Sequence, residues 1–129
     1  MVVLAADCLV DTDVIVDLLR GYAPAQIWIA SQHNPGISRS VRLEIIEGAL
    51  NKIFQKQAIN LVNEFESVEM TLSDFAWAEQ QLARLRLSHN VGAFDCLIAA
   101  PAHRLQLPLY TRNLKHFTPL LGNLAQQPY

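Results

Sequence analysis

The stretch from Cys8 to Gly21 limits the folds open to this chain more than any other part of the sequence. It begins with a short apolar run that is typical of a buried strand, and Asp11 stands where this strand should end. Apolar residues then recur at the spacing of one helical face, and Gly21 is a typical helix stop. In open α/β sheets, the carboxyl ends of the strands form the ligand crevice. Asp11 is therefore a candidate site residue.

Strands and helices alternate along the rest of the chain, which predicts a parallel sheet with helices on both faces. The predicted strands are 2–10 (most securely 8–10), 37–38, 67–71, 107–111 and an edge strand at 124–129. The predicted helices are 13–20, 25–31, 40–50, 52–66, 73–87 (with Ser73 as N-cap), 93–105 (kinked at Pro101) and a single turn at 114–117, with an irregular tail from Thr118. We expect one three-layer α/β/α domain over residues 1–129, with a short central parallel sheet of four to five strands.

Composition and charge exclude several classes of protein. A hydrophobic fraction of 51% indicates a globular chain rather than a disordered one. The formal net charge of −2 argues against holding nucleic acid by bulk positive charge, but not against a protein that works through a metal. Cys8 and Cys96 are predicted to be buried thiols in a reducing compartment. The start of the chain lacks the features of a signal peptide and no apolar run reaches ~20 residues, so we expect a cytoplasmic protein outside the membrane.

Four oxygen-bearing side chains, far apart in sequence, are predicted to lie at one edge of the sheet. Asp11 and Asn113 each follow a strand, whereas Glu44 and Asp95 lie near the beginnings of helices. Helices that follow parallel strands begin at the edge where those strands end, so the four groups could converge. The simpler interpretations stay open: a solvated helix residue for Glu44, and for Asp95 an exposed residue favoured by the helix dipole.

Three carboxylates brought together would repel one another and raise each other's pKa. A hard divalent cation such as Mg²⁺ or Mn²⁺ removes that penalty and prefers oxygen ligands. The sequence contains no set of cysteines and histidines at zinc spacing, which weakens a zinc interpretation. A carboxylate cage with such ions suits phosphodiester hydrolysis by an activated water.

Three parts of the chain resemble the PIN domain family, and more narrowly its VapC-type toxin ribonucleases. Leu9 to Asp17 resembles the family's first strand and first acid, and Ser38 to Gly48 resembles its second block. Asp95 to Ala100, followed by Leu107 to Phe117, resembles the third and fourth. The blocks occur in family order over nearly the whole chain, and their combination is more specific than any one of them.

The resemblance implies roles for individual residues. Asp11, Glu44 and Asp95 would be the metal-binding acids, with Asn113 as a further catalytic residue where the family often has a fourth Asp. An amide adds no negative charge, so the number of metal ions, one or two, stays open. Two further residues would act beside these ligands: Thr111 would orient a metal-bound water, and Asp13 would either support the site or cap the first helix. Two other acids, Asp17 and Glu47, are predicted to be surface charges.

The resemblance also implies a function: a Mg²⁺- or Mn²⁺-dependent endoribonuclease, the toxin of a type II toxin–antitoxin pair. It implies a homodimer and an antitoxin whose C-terminal segment covers the active groove. The candidate RNA contacts, each of which could equally be a solvated surface charge, are Arg39, Arg42, Arg112, Lys115 and His116.

Two other functions fit part of the pattern. Val10 to Val14 also matches the first motif of haloacid-dehalogenase-type phosphohydrolases, with Asp11 as nucleophile and Asp13 as acid/base. The later motifs of that family are not recognisable, and the chain is short for its fold. The other alternative is a PIN-like binding subunit with weakened catalysis, for which Asn113 is the one indication.

Overall fold

A computed structural model describes residues 6–129. The strands are β1 (Cys8–Val10), β2 (Pro35–Ser38), β3 (Glu66–Val68), β4 (Leu109–Tyr110) and β5 (Ala125–Gln126). The helices are α1 (Thr12–Leu19), α2 (Ala23–Ala30), α3 (Arg39–Glu47), α4 (Lys52–Val62), α5 (Leu72–His89), α6 (Ala93–Leu105) and α7 (Leu114–Leu121), with a 3₁₀ turn at Gly122–Leu124. The part of the first predicted strand at 2–5 lies outside the described residues.

The five strands form one parallel sheet in the order β3-β2-β1-β4-β5. Right-handed crossovers, which parallel strands almost always use, place α1 to α4 on one face and α5 to α7 on the other. The packing agrees, since α1, α3 and α4 contact one another, as do α5, α6 and α7. The predicted three-layer α/β/α architecture is confirmed.

Strand β1 lies at the centre of the sheet, and all three of its residues are buried. The chain leaves β1 towards β2 and β3 on one side and returns to β4 and β5 on the other. Ligands bind at such a reversal of strand order, outside the carboxyl ends of the strands. Asp11 follows β1 and Thr111 follows β4, so the fold places both at this point.

The first turn of α5 differs from the prediction. The N-cap is Thr71, not Ser73: the Thr71 side chain accepts a hydrogen bond from the Asp74 N–H, and the Asp74 carboxylate accepts one from the Thr71 N–H. This capping box requires an acid or amide three residues after the cap, and Ala76 occupies that position for Ser73. The Thr71–Asp74 spacing is the sequence signal that would have identified this cap.

Helix α7 is two turns long, so the predictions of a single turn at 114–117 and of an irregular tail from Thr118 were wrong. A residue before proline tends to leave the helix, and Pro119 also removes one backbone donor. Helix α7 nevertheless continues because it buries Phe117, Leu120 and Leu121. Helix α6 likewise runs without interruption through buried Pro101. The predictions for 52–66, 67–71 and 107–111 extended beyond the observed elements.

Both cysteines are buried free thiols, as predicted. None of the helices formed by residues 6–129 is both long enough and apolar enough to cross a membrane.

Candidate active site

The carboxylate of Asp11 is fixed by two adjacent strands and is only 5% exposed. One oxygen, Oδ1, accepts a hydrogen bond from the Thr12 N–H at 2.7 Å, which makes Asp11 the N-cap of α1. The other, Oδ2, accepts one from the Thr111 hydroxyl at 2.8 Å, and the Asp11 N–H donates to the Tyr110 carbonyl at 3.0 Å. Two hydrogen bonds thus orient the side chain, and a third fixes the backbone of Asp11 against β4.

The surroundings of Asp11 disfavour its negative charge. Burial, followed by the charge of Asp13, raises its pKa to about 7, and Glu44 adds a smaller contribution in the same direction. The hydrogen bonds from Thr111 and Thr12 oppose this shift without cancelling it. A buried carboxylate that faces other carboxylates is typical of a functional site.

Glu44 lies on α3 and reaches the start of α1. Its Oε1 accepts a hydrogen bond from the Thr12 hydroxyl at 2.6 Å, across 32 residues of sequence. Glu44 is half-buried rather than solvated, because α1 and α3 pack together. Thr12 therefore binds Asp11 through its backbone and Glu44 through its side chain. Sequence analysis missed Thr12, since nothing in its spacing identifies a partner so far along the chain.

Asp95 lies in the first turn of α6 and faces α7. Its Oδ2 accepts a hydrogen bond from the Gly92 N–H at 3.0 Å and lies 3.1 Å from Nδ1 of His116. The same His116 nitrogen is 3.1 Å from Nδ2 of Asn113. Asp95 is about three-quarters buried, which is intermediate between the two sequence-based interpretations. Nδ1 of His116 therefore lies between Asp95 and Asn113, where it can donate to the carboxylate or accept from the amide, depending on its protonation.

The segment after β4 is bonded to the segment after β1. The Thr111 hydroxyl, which donates to Asp11, also accepts from the Asn113 N–H at 2.9 Å. Asp13 Oδ2 accepts from the Arg112 N–H at 3.0 Å, and Asp13 Oδ1 is buried without a hydrogen-bond partner among residues 6–129. Asp13 therefore lies inside the site, and the alternative that it caps α1 is wrong because Asp11 does so.

One cavity of about 650 Å³ connects these groups. Its lining includes the four predicted catalytic residues and Asp13, as well as Asp17, Arg20 and Arg112. Five carboxylates thus face two guanidinium groups. Among residues 6–129, however, no three Asp, Glu, His or Cys side chains already form a cluster that could hold a metal ion. The fold brings the acids to one cavity, and their action as metal ligands stays a prediction.

The side chains of this cavity fit a hard divalent cation in charge and in donor type. Carboxylates exceed cationic groups, the donors are oxygens, and one buried oxygen of Asp13 has no hydrogen-bond partner in the described part of the chain. Burial is the largest cause of the raised pKa of Asp11, and the negative charges of Asp13 and Glu44 raise it further. The carboxylate side chains would have to rotate before several of them could contact one cation together.

Of the five predicted RNA contacts, only Arg112 lines the cavity. Arg39 forms an ion pair with Glu69, and Arg42 donates to the Val62 carbonyl and to Asn63. The remaining two, Lys115 and His116, are on α7, where His116 contacts Asp95.

A second, apolar cavity of about 590 Å³ adjoins the acidic one. The two share Thr12, Val16, Arg20 and Glu44 in their linings. Exposed apolar side chains of α1 and of the α3–α4 region, among them Leu19, Leu50 and Phe54, extend the apolar lining. The acidic cavity therefore opens beside an apolar groove.

Comparison with known proteins extends these observations. The PIN domain family matches residues 8–117. The chain is 34% identical over 113 residues to ribonuclease VapC10 of Mycobacterium tuberculosis, with 84% of each chain covered. It is 36% identical over 129 residues to ribonuclease VapC19 of the same organism, covering 94% of this chain and 98% of the relative. A toxin–antitoxin complex from Klebsiella pneumoniae has a similar structure, with a TM-score of 0.73, 27% identity, and 95% of this chain and 98% of that chain covered.

Proposed function

The chain belongs to the PIN domain family and, within it, to the VapC-type toxins, and from this premise we propose that it is a divalent-metal-dependent endoribonuclease. The observation that carries the proposal is the convergence of Asp11, Glu44 and Asp95 on one acidic cavity. Membership of this family excludes the haloacid-dehalogenase alternative.

These three carboxylates would hold a Mg²⁺ or Mn²⁺ ion. When bound, such an ion supplies Lewis-acid chemistry, which activates a water and stabilises charge on a phosphodiester. The chain supplies the orientation: the Thr111 hydroxyl and the Thr12 N–H fix Asp11. Asn113 presents an amide to the same cavity, where one more carboxylate would add further repulsion. The proposal includes Thr111, which would orient a metal-bound water, and Asp13, which would support the site beside Asp11.

The test is cleavage of single-stranded RNA by the purified chain, free of any antitoxin, with Mn²⁺ or Mg²⁺ and with EDTA. Cleavage should require the cation and should fall to background in Glu44→Gln and Asp95→Asn. Glu79→Gln, an exposed change on α5 with the same loss of charge, is the matched control and should cleave normally. Wild-type protein that cleaves no RNA with either ion would instead favour a binding subunit.

We include an antitoxin in the proposal because the apolar cavity adjoins the acidic one. A peptide whose apolar side chains fill the first cavity would lie over the second and exclude RNA. The product of a small reading frame beside this gene should form an inactive complex with the chain. Phe54→Glu, which places a charge in the apolar lining, should weaken that complex and restore cleavage. A complex unaffected by this change would contradict the proposed contact.

The proposal also includes a homodimer. Large apolar side chains are exposed on α5 and α6, namely Leu72, Phe75 and Phe94. Leu72 and Phe75 are three residues apart and so share one face of α5, and exposed apolar surface of this kind is common where a second chain binds. Sedimentation should give the mass of two chains, and Phe75→Glu should shift it towards one.

A further inference from the structure

Beside the acidic cavity lies a third cavity of about 410 Å³, between the end of α1 and the segment after β4. Its lining consists of Asp17, Arg20, Gly21, Tyr22, Ala23 and Arg112. Three of these residues, Asp17, Arg20 and Arg112, also line the acidic cavity, so the two cavities adjoin. We refer to the third as the arginine–tyrosine cavity. Its volume lies within the range of about 300–1,000 Å³ that is usual for small-ligand sites.

The guanidinium of Arg112 is held in a fixed position at the junction of the two cavities. Its Nη1 donates to Asp17 Oδ2 at 2.8 Å, and its Cζ lies 5.7 Å from the ring centroid of Tyr22 and 5.8 Å from that of Tyr129. The Tyr129 hydroxyl donates to the same Asp17 oxygen at 2.6 Å. A guanidinium has five N–H donors, and 46% of the Arg112 side chain remains exposed. Arg112 can therefore bind a further anion without leaving Asp17.

Arg20 and Tyr22 lie on a turn that is already formed. Gly21 has a φ of +72°, a conformation that favours glycine, and it ends α1. The Tyr22 N–H donates to the Asp17 carbonyl at 3.0 Å, which fixes the turn. Tyr22 is 44% exposed, and the Arg20 guanidinium makes no hydrogen bond to any residue from 6 to 129. Both side chains are thus available to a ligand.

The distribution of charge indicates which ligand fits. Single-stranded RNA carries one phosphate per nucleotide, and the carboxylates of the acidic cavity repel the phosphates that flank the cleaved one. Arg20 and Arg112 are the basic side chains in its lining, and both lie on the side of the arginine–tyrosine cavity. Proteins that bind single strands commonly combine such cations with an aromatic ring on which a base stacks. Tyr22 provides that ring.

We propose that the arginine–tyrosine cavity is a subsite for the nucleotide next to the cleaved phosphodiester. Its phosphate lies between Arg20 and Arg112, and its base stacks on Tyr22. Asp17 and Tyr129 are positioning residues, since they act through Arg112. This inference rests on the proposed nuclease function, but the binding that it describes needs no metal and no cleavage.

The test is the binding of a fluorescein-labelled octauridylate in EDTA, followed by fluorescence anisotropy. Arg20→Gln and Tyr22→Leu should each weaken binding at least about fivefold, whereas Tyr22→Phe, which keeps the ring, should bind like wild type. Arg20→Gln should also reduce the slope of log K against log salt by about 0.7, the value for one phosphate contact on a single strand. Lys56→Gln removes the same charge from an exposed residue that lines none of the cavities described, and should change neither quantity. Thermal melts establish that each variant is folded.

The inference is overturned if wild type does not bind the octauridylate, or if Arg20→Gln and Tyr22→Leu bind it as tightly as wild type does. It is also overturned if Lys56→Gln weakens binding as much as Arg20→Gln does. These outcomes are independent of cleavage, which is measured separately with Mn²⁺. If wild type does not cleave RNA but its binding of the octauridylate depends on Arg20, the nuclease function is refuted. The arginine–tyrosine cavity would then remain a binding site for single-stranded RNA. In an active enzyme, Arg20→Gln should raise KM and leave kcat nearly unchanged, because a flanking contact binds substrate and transition state alike.

Discussion

Asp11 and Asp17 lie at opposite ends of the same short helix and are almost equally buried, at 5% and 6% exposure, yet their surroundings act in opposite directions. Burial and the charges of Asp13 and Glu44 raise the pKa of Asp11 to about 7. Burial alone would raise the pKa of Asp17 too, but hydrogen bonds from Tyr129 and Arg112 outweigh it and leave that pKa below its ordinary value.

The comparison separates two reasons for burying a carboxylate. Asp17 has its own compensating partners within the chain, so its ionised form stabilises the fold. Asp11 faces further carboxylates, so its ionised form remains costly until a cation from outside compensates it. Burial alone therefore does not distinguish the two carboxylates, whereas the sign of the neighbouring charges does.

The largest effect should come from Asp11→Asn. Removing this charge should reduce cleavage at least about 10²-fold, the scale seen when a group that stabilises the transition state is lost. The melting temperature in EDTA should stay the same or rise, because repulsion from Asp13 and Glu44 is relieved. A melting temperature several degrees lower would show that Asp11 is a structural acid like Asp17.

The same exchange at Asp17 should act mainly on stability. Asp17→Asn should reduce the free energy of unfolding by about 2 kcal/mol, as measured in urea at neutral pH, because Arg112 and Tyr129 lose a charged acceptor. The loss is smaller than for a fully buried ion pair, since Arg112 is half exposed. If Asp17→Asn left the free energy of unfolding unchanged, Asp17 and Asp11 would not differ in their contribution to stability.

This contribution of Asp17 should depend on pH. The folded pKa lies below the unfolded value of about 3.9, so the stabilisation is complete above that value and disappears as pH falls through the folded pKa. The difference in unfolding free energy between wild type and Asp17→Asn should therefore shrink as pH falls from about 5 to about 2. A difference that grows on acidification would contradict the direction assigned to this pKa.

A smaller effect on activity is expected from Thr111→Val, which removes the hydroxyl bonded to Asp11 without changing the shape of the side chain. Cleavage should fall roughly tenfold, and half-maximal activity should need more Mn²⁺, because Asp11 is less firmly oriented. Thr118→Val, at an exposed position of α7, is the matched control. Equal effects of the two changes would exclude a positioning role for Thr111.

The smallest effect should be that of Tyr129→Phe. The hydrogen bond to Asp17 is lost while the ring beside Arg112 stays, so stability should fall by about 1 kcal/mol in urea. Tyr110→Phe removes a hydroxyl that makes no hydrogen bond to residues 6–129, and should cost less. A larger loss of stability in Tyr110→Phe than in Tyr129→Phe would contradict the proposed contribution of the Tyr129 hydroxyl to stabilising the negative charge of Asp17.

The sequence was sufficient for the features that depend on local pattern. The apolar run before Asp11 and the alternation of strands and helices predicted the parallel sheet, and the family blocks pointed to Asp11, Glu44 and Asp95. Features that depend on contacts between distant segments could not be predicted in this way. Asp17 was interpreted as a surface charge, yet it is buried because Arg112 and Tyr129, 95 and 112 residues further on, cover it. Arg20 and Tyr22 were missed for the same reason, since only the fold places them beside Arg112.

The hydrogen bond between Asp11 and Thr111 joins residues 100 positions apart. A ribosome makes the first of them roughly 5 to 20 s before the second, at ordinary rates of synthesis. During that interval the nascent chain carries its first acid without the strand that orients it. The proposed catalytic centre therefore cannot form before Thr111 has been made, and under the proposed function a growing polypeptide would not cleave the messenger RNA from which it is being translated.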